Sequence, residues 1–267
     1  MVTWEQFIYF AIAAVLLWAA GACSAWCEKT VMAYSSTIVG LVVFFSFILM
    51  MWISLERPPL RTMGETRLWY SFFLPLVGII VYSRWRYKWI LSFSTVLALV
   101  FICINLFKPE IHSKALMPAL QSPWFAPHVI VYMFAYAVFG VATLMALWLL
   151  IRDRNHNCQL SIINYQLDDL VYVGLAFMTI GMLFGALWAK EAWGHYWSWD
   201  PKETWAAITW FAYLVYVHYR QIPTHKPKLA LWVLLISFLL LQMCWWGINY
   251  LPSAQGSSVH VYSMPSS

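Results

Sequence analysis

The sequence predicts an all-α fold, a polytopic membrane helix bundle of about eight transmembrane helices. Two observations carry this expectation. Of 267 residues, 63% are hydrophobic and 10% are charged, whereas soluble domains carry roughly 25% charged residues. A soluble fold has no means of hiding so much apolar surface, so the surplus faces lipid. The apolar residues also fall into runs near the length of about 20 residues that crosses a bilayer, with short polar clusters between them. The net charge of +5 is dispersed among those clusters, a pattern of membrane topology and not of nucleic-acid binding.

Taken in order, the expected spans are residues 6–26, 34–54, 69–83, 88–107, 127–151, 168–188, 204–222 and 229–249. The third is short, and Arg84, Arg86 and Lys88 break the run after it, which suggests a tight turn into the fourth. No soluble insert or low-complexity stretch interrupts the pattern, so residues 1–267 read as one transmembrane domain. The first apolar run lacks a basic leader and a small-residue cleavage site, and reads as a retained helix.

Lys and Arg counts orient such a chain. One set of alternate loops holds nine and the other seven; after residue 120 the division is five against two. Both termini and the 188–205 segment are thereby expected outside the cytoplasm, in a bacterial cytoplasmic (inner) membrane. The five cysteines are scattered, mostly in apolar runs, with no C-x-x-C-H and no paired zinc spacing, so they read as buried helix residues.

Aromatic content is 19%, with 18 Trp, and the densest cluster runs Trp188-Ala-Lys-Glu-Ala-Trp193-Gly-His195-Tyr-Trp197-Ser-Trp199-Asp200-Pro-Lys-Glu203-Thr-Trp205. Its second half has a local explanation: Asp200 is a good N-cap, Pro201 suits the first helical position, and Glu203 stands where a capping box needs it. The first half, with Trp193, Trp197 and Trp199 crowding a short connection, reads either as an interfacial aromatic belt or as a shelf for a large planar ligand. Such a ligand would be apolar in its body and charged at its edge, as a porphyrin with propionates is. Lys190 or Lys202 would suit a propionate.

The stretch WAKEAWGHYWSWDPKETW resembles the tryptophan-rich signature of the cytochrome c assembly family. The following I-T-W and V-H-Y-R look most like its CcsA/ResC branch. The resemblance runs from about residue 115 to the C-terminus; upstream it is carried only by Arg57–Tyr70, around Gly64 and Glu65. It implies a haem-handling protein for cytochrome c maturation with an outer-face haem site, and directs attention to the seven histidines, since imidazole is a preferred axial ligand of haem iron.

By composition alone His128, at the start of the fifth expected span, is an interfacial His, and His260 a solvated tail His. The family resemblance of PALQSPWFAPHVIVY and WGINYLPSAQGSSVHVY implies that these two are the outer axial ligands. His218, near the inner end of the seventh span, reads either as snorkelling beside Arg220 or, from the branch, as a transmembrane ligand working with a ResB/CcsB-type partner. His195 lies inside the signature without being required by it; His112, His156 and His225 read as loop residues.

The implied assignment is haem b, carried as substrate, with His128, His260 and His218 on iron and Trp193, Trp197, Trp199 and Asp200 around the ring. An apocytochrome c presenting C-x-x-C-H receives it by thioether attachment. For such a chain the terms enzyme and haem chaperone shade into one another. Rival expectations are CcmC-like delivery to a periplasmic haem chaperone, a transporter of another planar solute, and a purely structural subunit of a respiratory complex.

Overall fold

The computed structural model describes residues 3–112, 122–152 and 158–250. Regular structure among them is entirely helical. Eight long helices follow in order: α1 (Phe7–Trp26), α2 (Thr30–Leu55), α3 (Met63–Trp85), α4 (Lys88–Phe107), α5 (Phe125–Arg152), α6 (Cys158–Trp193), α7 (Pro201–Gln221) and α8 (Pro227–Trp245). Seven are long and apolar enough to cross a membrane. The exception, α7, has the length but carries Lys202, Glu203, His218 and Arg220 near its ends. The expected multi-pass helix bundle is therefore the observed architecture.

The helices form two compact units, Met1–Ala115 and Leu116–Ser267. In the first, α1 packs on α2 and α4, and α3 on α4 and more sparsely on α2. Its core holds the fully buried Trp18, Phe7, Phe44 and Phe47. The third helix begins at Met63, six residues before the expected span, because its polar first turn is satisfied locally. Thr62 caps it: its hydroxyl accepts from the Glu65 backbone N–H at 3.1 Å. Glu65 accepts in return from the backbone N–H groups of Thr62 and Arg61 and takes the forked Arg57 guanidinium at 2.9 and 3.0 Å. A carboxylate so fully paired is tolerated in a buried position. Burial and the neighbouring Arg57 push the Arg61 guanidinium below its usual value, with Glu65 opposing.

In the second unit α5 packs along α6, α7 along α8, and α5 and α6 close the set against α8 and α7 respectively. The sixth helix, expected over 168–188, runs 36 residues, about 54 Å at 1.5 Å per residue. That exceeds the hydrocarbon core of about 30 Å, so its ends project beyond it.

Candidate functional site

The site in the second unit starts from the seam between α5 and α6. Three glycines of α6 each face an aromatic ring of α5. A Cβ at Gly174 would meet Phe139 at 2.7 Å, one at Gly181 would meet Tyr132 at 2.9 Å, and one at Gly185 would meet His128 at 2.7 Å. Steps of seven and four residues along one helix answer the same steps backwards along the other, as antiparallel neighbours require. Small residues let membrane helices approach closely; here they make slots for rings.

The last of these slots holds His128, which is half-buried. Its Nδ1 lies 2.8 Å from the carbonyl oxygen of Gly181. A carbonyl only accepts, so Nδ1 carries the proton and donates, and Nε2 is left as the lone-pair nitrogen in the neutral ring. Tyr132 meets the ring edge-on with centroids 4.8 Å apart, and Trp188 lies at 5.5 Å, tilted by 35°. Trp188 in turn contacts Phe125 and Trp193 at 5.0 and 4.9 Å. A second tie joins the same ends of the two helices: Ser122 Oγ accepts from the Trp124 N–H and donates to Glu191 at 2.6 Å.

The connection from α6 to α7 is stiffened by its own groups. Gly194 follows Trp193 at φ +84° and its N–H returns to the Lys190 carbonyl at 3.0 Å, the usual left-handed helix stop. Lys190 donates to the Gly194 carbonyl at 2.8 Å and lies over the Tyr196 ring, so this lysine closes the turn. Trp199 also sits at positive φ, +59°, an uncommon conformation for a bulky residue. It is 69% exposed and meets Trp197 at right angles, with centroids 5.7 Å apart.

Asp200 is the N-cap of α7, as its sequence context predicts. Its side chain accepts from the Lys202 N–H at 2.9 Å, and Glu203 closes the capping box. Glu203 does more than the pattern requires: one carboxylate oxygen accepts from the N–H groups of Ser198 and Asp200 and from the Ser198 hydroxyl, at 2.7, 3.2 and 3.3 Å. Asp200 and Glu203 are both buried. The Trp197 indole N–H is also buried, without a hydrogen-bond partner among the described residues.

His218 lies on the outward stripe of α7 with Ile208, Phe211 and Val215, all exposed. Its Nδ1 bonds the Leu214 carbonyl at 2.8 Å, so Nε2 is again the lone-pair nitrogen of the neutral ring. Beside it, Arg220 turns inward onto Asp168 of α6, with three contacts of 2.6 to 3.1 Å, and the Tyr216 hydroxyl donates to the same carboxylate at 2.6 Å. Arg220 also donates to His225 Nε2 at 2.7 Å.

Of the residues singled out from sequence, His128 and Trp193 converge through Trp188. Trp197, Trp199 and Asp200 make a second cluster at the start of α7. His218 is about 26 Å from that start, 17 residues along the helix. His260 lies outside the described residues. Trp188 opens the tryptophan segment read from the sequence, whereas Gly181, Gly185 and Tyr132 carry no such mark beyond the helical spacing of the two glycines.

Residues 61–254 match the family described as Cytochrome C assembly protein. Among curated proteins, the chain is 33% identical to "Cytochrome c biogenesis protein CcsA" of Nicotiana tomentosiformis, over 90% of this chain and 89% of that protein. It is 31% identical to the protein of the same name in Panax ginseng, over 88% of each. The Hordeum vulgare protein, also so named, is 31% identical over 83% of this chain and 84% of its own length. With most of its length matched by the family and by these relatives, the chain belongs to the cytochrome c assembly family.

Proposed function

We propose that this chain serves cytochrome c maturation by holding haem b as a substrate at its outer face. His128 is one axial ligand, His260 the other, and the Trp193–Trp199 segment flanks the porphyrin. The observation that carries the reading is the His128 tautomer: the Gly181 carbonyl takes the Nδ1 proton and leaves the lone pair on Nε2. Histidines that ligate metals are oriented in this way by an acceptor on the other nitrogen. The indole of Trp197, with a buried N–H lacking a described partner, and the exposed Trp199 ring suit a planar guest at the same membrane face. When haem is bound, its vinyl groups supply the carbons to which the thiols of an apocytochrome C-x-x-C-H add. The chain's own part is to hold the iron, orient the ring and keep its edge accessible.

His218 belongs to a second, inner position in this proposal. A titratable group on a lipid-facing stripe is costly unless something covers it, and a ResB/CcsB-type membrane partner supplying a second imidazole would do so. The proposed setting is a bacterial cytoplasmic membrane, with the Trp segment and both termini outside, which the Lys and Arg distribution supports.

The test is an absorption spectrum of the purified full-length protein, expected to show six-coordinate, bis-imidazole haem. His128→Ala is expected to abolish that signature, and added imidazole to restore it. An unchanged spectrum in His128→Ala excludes the ligand.

A further inference from the structure

An apolar groove of about 500 Å³ runs along the outside of the first unit between α2 and α3. That volume falls within the range of small-ligand sites, roughly 300–1,000 Å³. The groove is lined from Tyr34 to Phe45 on α2 and from Phe72 to Ser83 on α3. The two helices run antiparallel, so Tyr34 and Ser83 share one end and Phe45 and Phe72 the other. Phe45 closes the far end against Phe72 and Trp69, with centroids 5.3 and 6.3 Å apart. Among its lining residues Ile38, Val42 and Ile80 are open to the surroundings.

The length of the groove restricts its occupant. The eleven helical steps from Tyr34 to Phe45 span about 16 Å, close to half of a hydrocarbon core of about 30 Å. The groove is thus one leaflet deep. A spanning helix of a partner would need a surface running the full thickness; an acyl chain needs only this much.

The open end is basic. Arg86 is the C-cap of α3, at φ +59°, and its guanidinium lies over the rings of Tyr34 and Tyr82 at 5.5 and 5.6 Å. Tyr34 is a wall of the groove, so the cation is fixed at its mouth. Arg84 is exposed nearby in sequence. Lys88 pairs with Glu28, whereas neither Arg84 nor Arg86 enters an ion pair among the described residues. An apolar slot one leaflet deep with a guanidinium at the headgroup level is complementary to a lipid that carries negative charge.

We propose that this groove is a binding site for one anionic phospholipid, its acyl chain between α2 and α3 and its phosphate on Arg86. The site is independent of haem, in a different unit from His128 and His218. The experiment reconstitutes the full-length chain in nanodiscs of equimolar phosphatidylglycerol and phosphatidylcholine and measures retained lipid by native mass spectrometry. The wild-type chain is expected to keep one phosphatidylglycerol in preference to phosphatidylcholine. Arg86→Asn, which keeps a residue tolerant of positive φ, is expected to lower that preference about fivefold. Ile38→Trp, at an exposed position in the groove wall, is expected to lower retention of both lipids. Equal retention of the two lipids by the wild-type chain, no retained lipid, or an unchanged preference in Arg86→Asn overturns the proposal. So does retention undiminished by Ile38→Trp.

Discussion

His128 and Trp199 show opposite ways in which single residues are held in place. His128 is held by fit: its ring occupies the space a side chain at Gly185 would fill. Gly185→Ala should therefore force the ring to shift, at a cost of about 1–3 kcal/mol for overpacking, and should alter haem ligation without removing the imidazole. Thermal unfolding in detergent and the haem spectrum read the two effects together; a variant that loses neither stability nor spectrum would refute the slot. Trp199 is held against its own preference, at positive φ and with its ring largely exposed. Trp199→Gly should raise stability by about 1 kcal/mol, the lower end of the cost of such strain, while lowering haem occupancy. A gain in stability with full occupancy would make Trp199 an interfacial ring only.

Glu203 makes the connection between α6 and α7 more than a cap. Capping boxes join a side chain and a backbone N–H three residues apart, and a lost cap costs typically about 1 kcal/mol. Here the same carboxylate oxygen also takes the Ser198 N–H and hydroxyl, so the helix start holds the preceding loop. Asp200→Ala should destabilise by about 1 kcal/mol and loosen chiefly the first turn of α7. Glu203→Ala should in addition speed hydrogen exchange at the Ser198 amide. Exchange at that amide that is equal in the two variants would show that the extra bonds do not order the loop.

Part of this was readable beforehand. Asp200-Pro-x-Glu203 announces its own local geometry, and the long apolar runs announce the helices. The apolar run alone places the third span at residue 69, after Glu65, whereas α3 starts at Met63. The acceptability of Glu65 depends on Arg57, which the chain returns to it across the loop. The Gly181–His128 bond was not readable, since it depends on the register of two helices whose contact residues are 53 positions apart. Glycine spacing hints at such a seam without saying which ring fills which slot.

At the scale of the second unit, the two histidines of interest sit near opposite ends of the helices, and different devices hold those ends. The end that holds His128 relies on glycine slots, the Ser122–Glu191 bond and the capped loop. The end that holds His218 relies on Asp168, which is 8% exposed and gathers Arg220 and Tyr216. Removing one member of a buried pair leaves the other charge uncompensated and costs about 3–5 kcal/mol, whereas replacing both with apolar residues is often neutral. Asp168→Ala should thus destabilise strongly, and Asp168→Leu with Arg220→Met should recover most of the loss. Effects at sites more than about 7–10 Å apart that share no partners are additive to within about 0.5 kcal/mol. On the proposed function, the defect at Asp168 should therefore leave a His128-dependent haem spectrum intact while weakening co-purification of a partner over His218. Measured as unfolding free energies, Asp168→Ala and His128→Ala should add. A coupling above about 1 kcal/mol would mean that the two ends of the bundle share a cooperative network.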